Sequence, residues 1–129
     1  MVLIYTKALD AQALCDLITA SLDDDKAEEI VRIDLAGKSS FADFMVVASG
    51  RSARHVNALA SKLAERLKDS GNAPLSVEGQ ESNDWVLIDA GNVIVHLFRP
   101  EMRDYYHIEE MWNVPMPTLT EIKSQEVVH

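Results

Sequence analysis

Four histidines, one cysteine and a serine-rich turn are the side chains from which this chain would have to assemble any chemistry. His55, His96, His107 and His129 form no H-x-x-x-H or H-x-H pair, and Cys15 stands alone, so the spacing yields no tetrahedral zinc set. Ser39, Ser40, Ser49 and Ser52 surround Gly50 without making the G-x-S-x-G elbow that exposes a nucleophilic hydroxyl. Neither a G-x-x-x-x-G-K-[ST] loop nor a G-x-G-x-x-G turn is present to cradle phosphates. Only one enzymatic arrangement has partial support. Gly50-Arg51-Ser52 lies between a strand and a helix, and the free N–H groups of a helix start bind phosphate. Nucleotidyl transfer would also need two carboxylates converging on Mg²⁺. The nearest pair, Asp84 and Asp89, is five residues apart and falls on opposite faces of a regular strand. Carboxylates that cannot converge do not hold metal, so the sequence predicts no enzyme, no metal and no cofactor.

The elements that would carry these residues follow from periodicity. Leu14, Leu17, Ile18 and Leu22 recur at helical spacing over residues 8–22, with Asp10 placed to cap and the acidic run 23–25 to end the helix in a loop. Residues 30–35 alternate as a strand, with Val31, Ile33 and Leu35 on one face. Residues 44–48 are apolar throughout, as in a central strand covered on both faces. Ser52 then caps a helix on which Val56, Leu59, Ala60, Leu63, Ala64 and Leu67 repeat, and Gly71 ends it. A short strand over 75–77, strands at 85–89 and 93–98, and a last helix from Pro100 to about Trp112 complete the domain. Asn113, Pro115 and Pro117 stop that helix, leaving residues 113–129 as a Pro-bearing, flexible tail. The order α-β-β-α-β-β-β-α predicts one α/β domain on a mixed five-stranded sheet, with the helix after Ser52 as a crossover.

A two-residue hairpin loop at Ala90-Gly91 or at Gly91-Asn92 sorts the side chains identically. Val86, Ile88, Val93, Val95 and Leu97 share an all-aliphatic face that belongs under the helices. Trp85, Leu87, Asp89, Ile94, His96 and Phe98 share the other. Two aromatics, a carboxylate and an imidazole among aliphatics suit a partner-binding face. They also suit a second core layer, covered by the last helix and holding a satisfied histidine, and parity alone favours this reading because large aromatics are mostly buried.

Charge narrows the partners. The chain has 129 residues with 12 Lys and Arg against 21 Asp and Glu, a net charge of −9 and a pI near 4.7. The surplus of acid sits in residues 1–35 and 76–112, while 36–75 are net basic. Proteins that track phosphates carry basic faces, so a nucleic acid is not expected as the main ligand. A basic protein surface is, because an acidic domain is steered towards it. No apolar run approaches the ~18 residues of a membrane helix, residues 1–5 are too short for a secretory leader, and one cysteine fits a reducing cytoplasm.

Several ordered blocks carry a resemblance. Asp34-Leu35, Gly37-Lys38-Ser39-Ser40-Phe41-Ala42-Asp43-Phe44 and Ala48-Ser49-Gly50-Arg51-Ser52-Ala53-Arg54-His55-Val56 form the first signature. Val77-Glu78-Gly79, Asp84-Trp85-Val86-Leu87-Ile88-Asp89, Gly91-Asn92-Val93-Ile94-Val95-His96, Arg103-Asp104-Tyr105-Tyr106 and Glu110-Met111-Trp112 form the second. Over residues 8–112 the chain resembles the ribosomal silencing factor (RsfS, Iojap-like) family, departing from it at Asn92, where Asp is usual, and in its tail. The resemblance implies a nucleotidyltransferase-like fold without catalytic carboxylates and a non-enzymatic translational repressor. It implies binding to the large ribosomal subunit through ribosomal protein fourteen, obstructing small-subunit joining when nutrients are short. It also raises the partner-binding assignment of Trp85, Leu87, Asp89, His96, Phe98 and Tyr105, with Trp85 as anchor. A large-subunit assembly role and a nucleotide-binding enzyme are the alternatives, and a homodimer stays open.

Overall fold

Asp10 opens the first helix: its carboxylate accepts from the Ala13 N–H at 2.8 Å, one of the donors a helix start leaves without a partner. The computed structural model describes residues 9–37 and 40–102. Helix α1 (Ala11–Asp24) turns Leu14, Cys15, Ile18 and Leu22 inward, and it runs two residues into the acidic run that was expected as loop. Helix α2 (Ala53–Asp69) is capped by Ser52, whose hydroxyl accepts from the His55 N–H. It closes on Gly71 at φ 86, with Asn72 N–H donating to Leu67 O and Gly71 N–H to Lys68 O. That pair of bonds is a Schellman closure, and glycine supplies the left-handed residue it requires.

The strands are β1 (Glu28–Asp34), β2 (Phe44–Ser49), β3 (Ser76–Glu78), β4 (Trp85–Asp89) and β5 (Val93–Phe98), arranged in the order β1-β2-β5-β4-β3. Only β2 and β5 run parallel; the other neighbours are antiparallel. Since β2 leads through α2 to β3 at the far edge, the β4–β5 hairpin is inserted between them, and β2 and β5 are covered on both faces. Val46, Ala48, Val86, Ile88, Val93, Val95 and Leu97 pack with α1 and α2 into one core. Met45, Val47, Trp85, Leu87, Ile94 and Phe98 form a second on the opposite face. Each fully buried Leu, Ile, Val or Phe contributes roughly 1.5–3 kcal/mol through removal of apolar surface from water. The last predicted helix starts at Pro100, and its course past Met102, with the tail, lies outside the described residues.

Ala90 N–H donates to Val93 O at 3.0 Å, so Gly91 and Asn92 form the hairpin loop. Gly91 has φ 89 while Asn92 stays at negative φ, the II′ pattern that suits a twisted hairpin. Gly79 matters more for the site. It has φ 93, and a Cβ there would lie 2.1 Å from the Trp85 carbonyl oxygen. Gly79→Ala is therefore expected to displace the start of β4 and lower the melting temperature well beyond Gly71→Ala. The Gly71 site has nothing within 4 Å and carries only the ~1–2 kcal/mol left-handed penalty. Equal melting temperatures for the two variants would refute the close approach.

Candidate partner-binding face

Two-residue periodicity along β4 and β5 brings four of the singled-out residues together. Trp85 lies opposite Phe98 and Leu87 opposite His96, on the sheet face away from the helices. Trp85, His96 and Phe98 have no exposed surface, and Leu87 and Ile94 keep 8% each. Asp89 is half-buried at the hairpin end, where its carboxylate accepts from the Gly91 N–H at 2.9 Å. Tyr105 lies outside the described residues. Leu35, Ala42, Met45 and Val47 complete the cluster, with Ile33 and Met102 packed against it.

At its centre the Trp85 indole stacks on Phe98, with centroids 4.8 Å apart, and sits 5.8 Å from the His96 ring. Trp85 Nε1–H donates to His96 Nδ1 at 2.9 Å. An indole is a donor only, so Nδ1 must accept and the imidazole proton resides on Nε2. Nε2 is buried, and among the described residues no acceptor reaches it. A buried donor without a partner costs about 1–3 kcal/mol. Burial pushes the His96 imidazole down to about 3, so it is neutral at pH 7 and a poor general base. Parity placed Trp85 and His96 on one face, but the diagonal bond between them was not anticipated; a donor-only indole beside an imidazole was the available signal. The alternative of a second core layer describes this burial; among the described residues its histidine is bonded at one nitrogen, and the last helix expected to cover it lies outside them past Met102.

The strand-to-helix turn at Gly50 is built differently. In the turn before α2, the Arg51 N–H donates to His55 Nδ1 at 2.9 Å, and His55 N–H is taken by Ser52 Oγ. His55 Nε2 lies 2.9 Å from the Asp25 carbonyl, tying this turn to the end of α1. These donors serve the fold. Asp84 pairs with Arg99 at 2.8 Å just before β4, and Asp89 ends the same strand. The two carboxylates are thus separated by the strand's length, on the order of 16 Å at ~3.3 Å per residue. Among the described residues no group of His, Cys, Asp and Glu could hold a metal ion, and no helix is long and apolar enough to cross a membrane.

Residues 8–128 match the family described as ribosomal silencing factor during starvation. A ribosomal silencing factor RsfS from Zymomonas mobilis is 55% identical over 105 residues, covering 81% of this chain and 79% of that protein. A crystal structure of a Chromobacterium violaceum protein superposes with a TM-score of 0.79 at 39% identity, covering 85% of this chain and 92% of that one. A mouse relative, named mitochondrial assembly of ribosomal large subunit protein 1, is 29% identical over 77% of this chain and 45% of its own length.

Proposed function

Because this chain belongs to the ribosomal silencing factor family, we propose that it binds the large ribosomal subunit through ribosomal protein fourteen and blocks joining of the small subunit when nutrients are short. The match across residues 8–128 is the observation that carries this reading. A silencing factor acts in translational regulation, and a 14.4 kDa domain needs no catalysis to keep two subunits apart. It need only occupy part of their contact surface. The charge of −9 suits a basic ribosomal protein as partner.

Docking is assigned to the second sheet face. Asp89 is half-buried on this face, Leu87 and Ile94 keep 8% of their surface each, and Trp85, His96 and Phe98 lie beneath with none. Tyr105, outside the described residues, is proposed as a further contact with the partner. Purified protein is expected to reduce subunit joining in proportion to its occupancy of the large subunit, without nucleotide. Light scattering of mixed subunits measures this, and unchanged joining at saturating occupancy would refute occlusion. The name of the mouse relative favours a second reading, assembly of the large subunit. That role requires precursor particles to accumulate in a deletion strain, which sucrose gradients would resolve.

A further inference from the structure

The two edges of the sheet are finished differently. β1 carries a register shift between Glu28 and Val31, with Glu29 at φ 51, and Arg51 reaches Glu28 at 3.2 Å while Arg32 reaches Asp16 at 2.7 Å. Bulges and charged side chains are the devices by which proteins keep other chains from adding to an edge. β3 shows no bulge and no cation. Among the described residues it pairs in regular register with β4 alone, Ser76 opposite Asp89 through Glu78 opposite Leu87, so the outer side of its backbone faces away from the sheet. Ser76 and Glu78 are exposed. Leu75, immediately before them, is 74% exposed, more than any other large hydrophobic among the described residues.

Charge around this edge is one-sided. Between Lys68 and Arg99 the chain has no Lys or Arg, yet Glu78, Glu81, Asp84 and Asp89 all fall there. Arg99 is taken up by Asp84. Among the described residues Glu78, Glu81 and Asp89 make no ion pair. An apolar side chain left in water, a backbone edge with unused donors and acceptors, and uncompensated carboxylates beside them define a complementary ligand.

We infer that β3 accepts a sixth strand from an extended, lysine- or arginine-bearing segment of the ribosomal partner. An apolar side chain of that segment covers Leu75, and its cations face Glu78 and Glu81. The inference rests on the ribosome-binding reading and supplies the chemistry of the partner. Main-chain hydrogen bonds give such strand addition its affinity, and alternate side chains its selectivity. A second copy of this chain is a poor occupant, because edge-to-edge pairing sets acidic strands against each other.

The test uses the full chain in three measurements: hydrogen exchange with and without purified large subunits, co-sedimentation of a Leu75→Asp/Glu78→Lys double variant, and binding of labelled synthetic peptides. Both substituted side chains are exposed, so the variant is expected to melt like wild type. Amides 75–78 are expected to exchange at least tenfold more slowly in the complex, and the variant to lose at least tenfold in affinity. A peptide alternating lysine and valine should bind wild type at least tenfold tighter than one alternating glutamate and valine, and the variant should lose that preference. Undiminished subunit binding by the variant, with amides 75–78 unprotected, overturns the strand addition and leaves the ribosome reading standing. Binding of the lysine peptide without binding of subunits does the reverse. If the double variant instead converts a dimer into a monomer, the edge belongs to a second copy and the inference is wrong.

Discussion

Trp85→Ala is expected to cost about 3–5 kcal/mol of folding stability, the range for removing a large aromatic side chain from a core. The indole has no exposed surface, stacks on Phe98 and donates to His96, so its loss opens a cavity and takes from Nδ1 its donor, beside an Nε2 that no acceptor reaches among the described residues. Native domains are stable by only ~5–15 kcal/mol, so the variant is expected to be partly unfolded at 37 °C. Each kcal/mol lowers the melting temperature of a small domain by roughly 4–8 °C, which calorimetry resolves readily. Trp85→Phe separates the contributions: it keeps an aromatic ring against Phe98 but removes the donor, and is expected to fall between wild type and Trp85→Ala. A Trp85→Ala protein that melts like wild type yet fails to bind the large subunit would show that the indole leaves its pocket to serve as the partner's anchor.

Acid is expected to destabilise this protein through His96. The unfolded chain takes up a proton on this imidazole as pH falls through about 6.5, whereas the folded chain, with the group pushed down to about 3, does not. Across that window the unfolded state therefore binds more protons, and stability falls as pH falls at up to ~1.4 kcal/mol per unit from this residue, on the order of 5 kcal/mol in all. Above about pH 6.5 the contribution is level. His96→Gln retains an acceptor for the Trp85 N–H without titrating, so its stability is expected to decline less steeply than wild type between pH 6.5 and 4. The difference between the two curves isolates His96 from the carboxylates and other histidines. Parallel curves would mean that the folded imidazole takes up its proton as readily as the unfolded one.

Local patterning reached far into this fold. The facing sets of the β4–β5 hairpin came out correctly because side-chain direction alternates residue by residue and a two-residue loop leaves no freedom of register. Asp10, Ser52 and Gly71 announced helix ends because their side chains, or the lack of one, meet needs that lie within a few residues. The five strands, the two helices α1 and α2 and the family signatures were legible for the same reason: each depends on neighbours along the chain.

Contacts between distant segments were another matter. That β5 lies parallel beside β2, and β3 at an edge, depends on how α2 carries the chain across the sheet, and no short stretch encodes it. The fate of the aromatic face also turned on the tertiary structure, since alternation says which residues share a face but not whether anything covers it. Packing buried Trp85 and Phe98 completely and left Leu75 in water. It bonded Trp85 to His96 diagonally across two strands, which settled the imidazole's tautomer and, by desolvation, its charge. Periodicity is a property of one strand, whereas burial and protonation depend on everything folded against it.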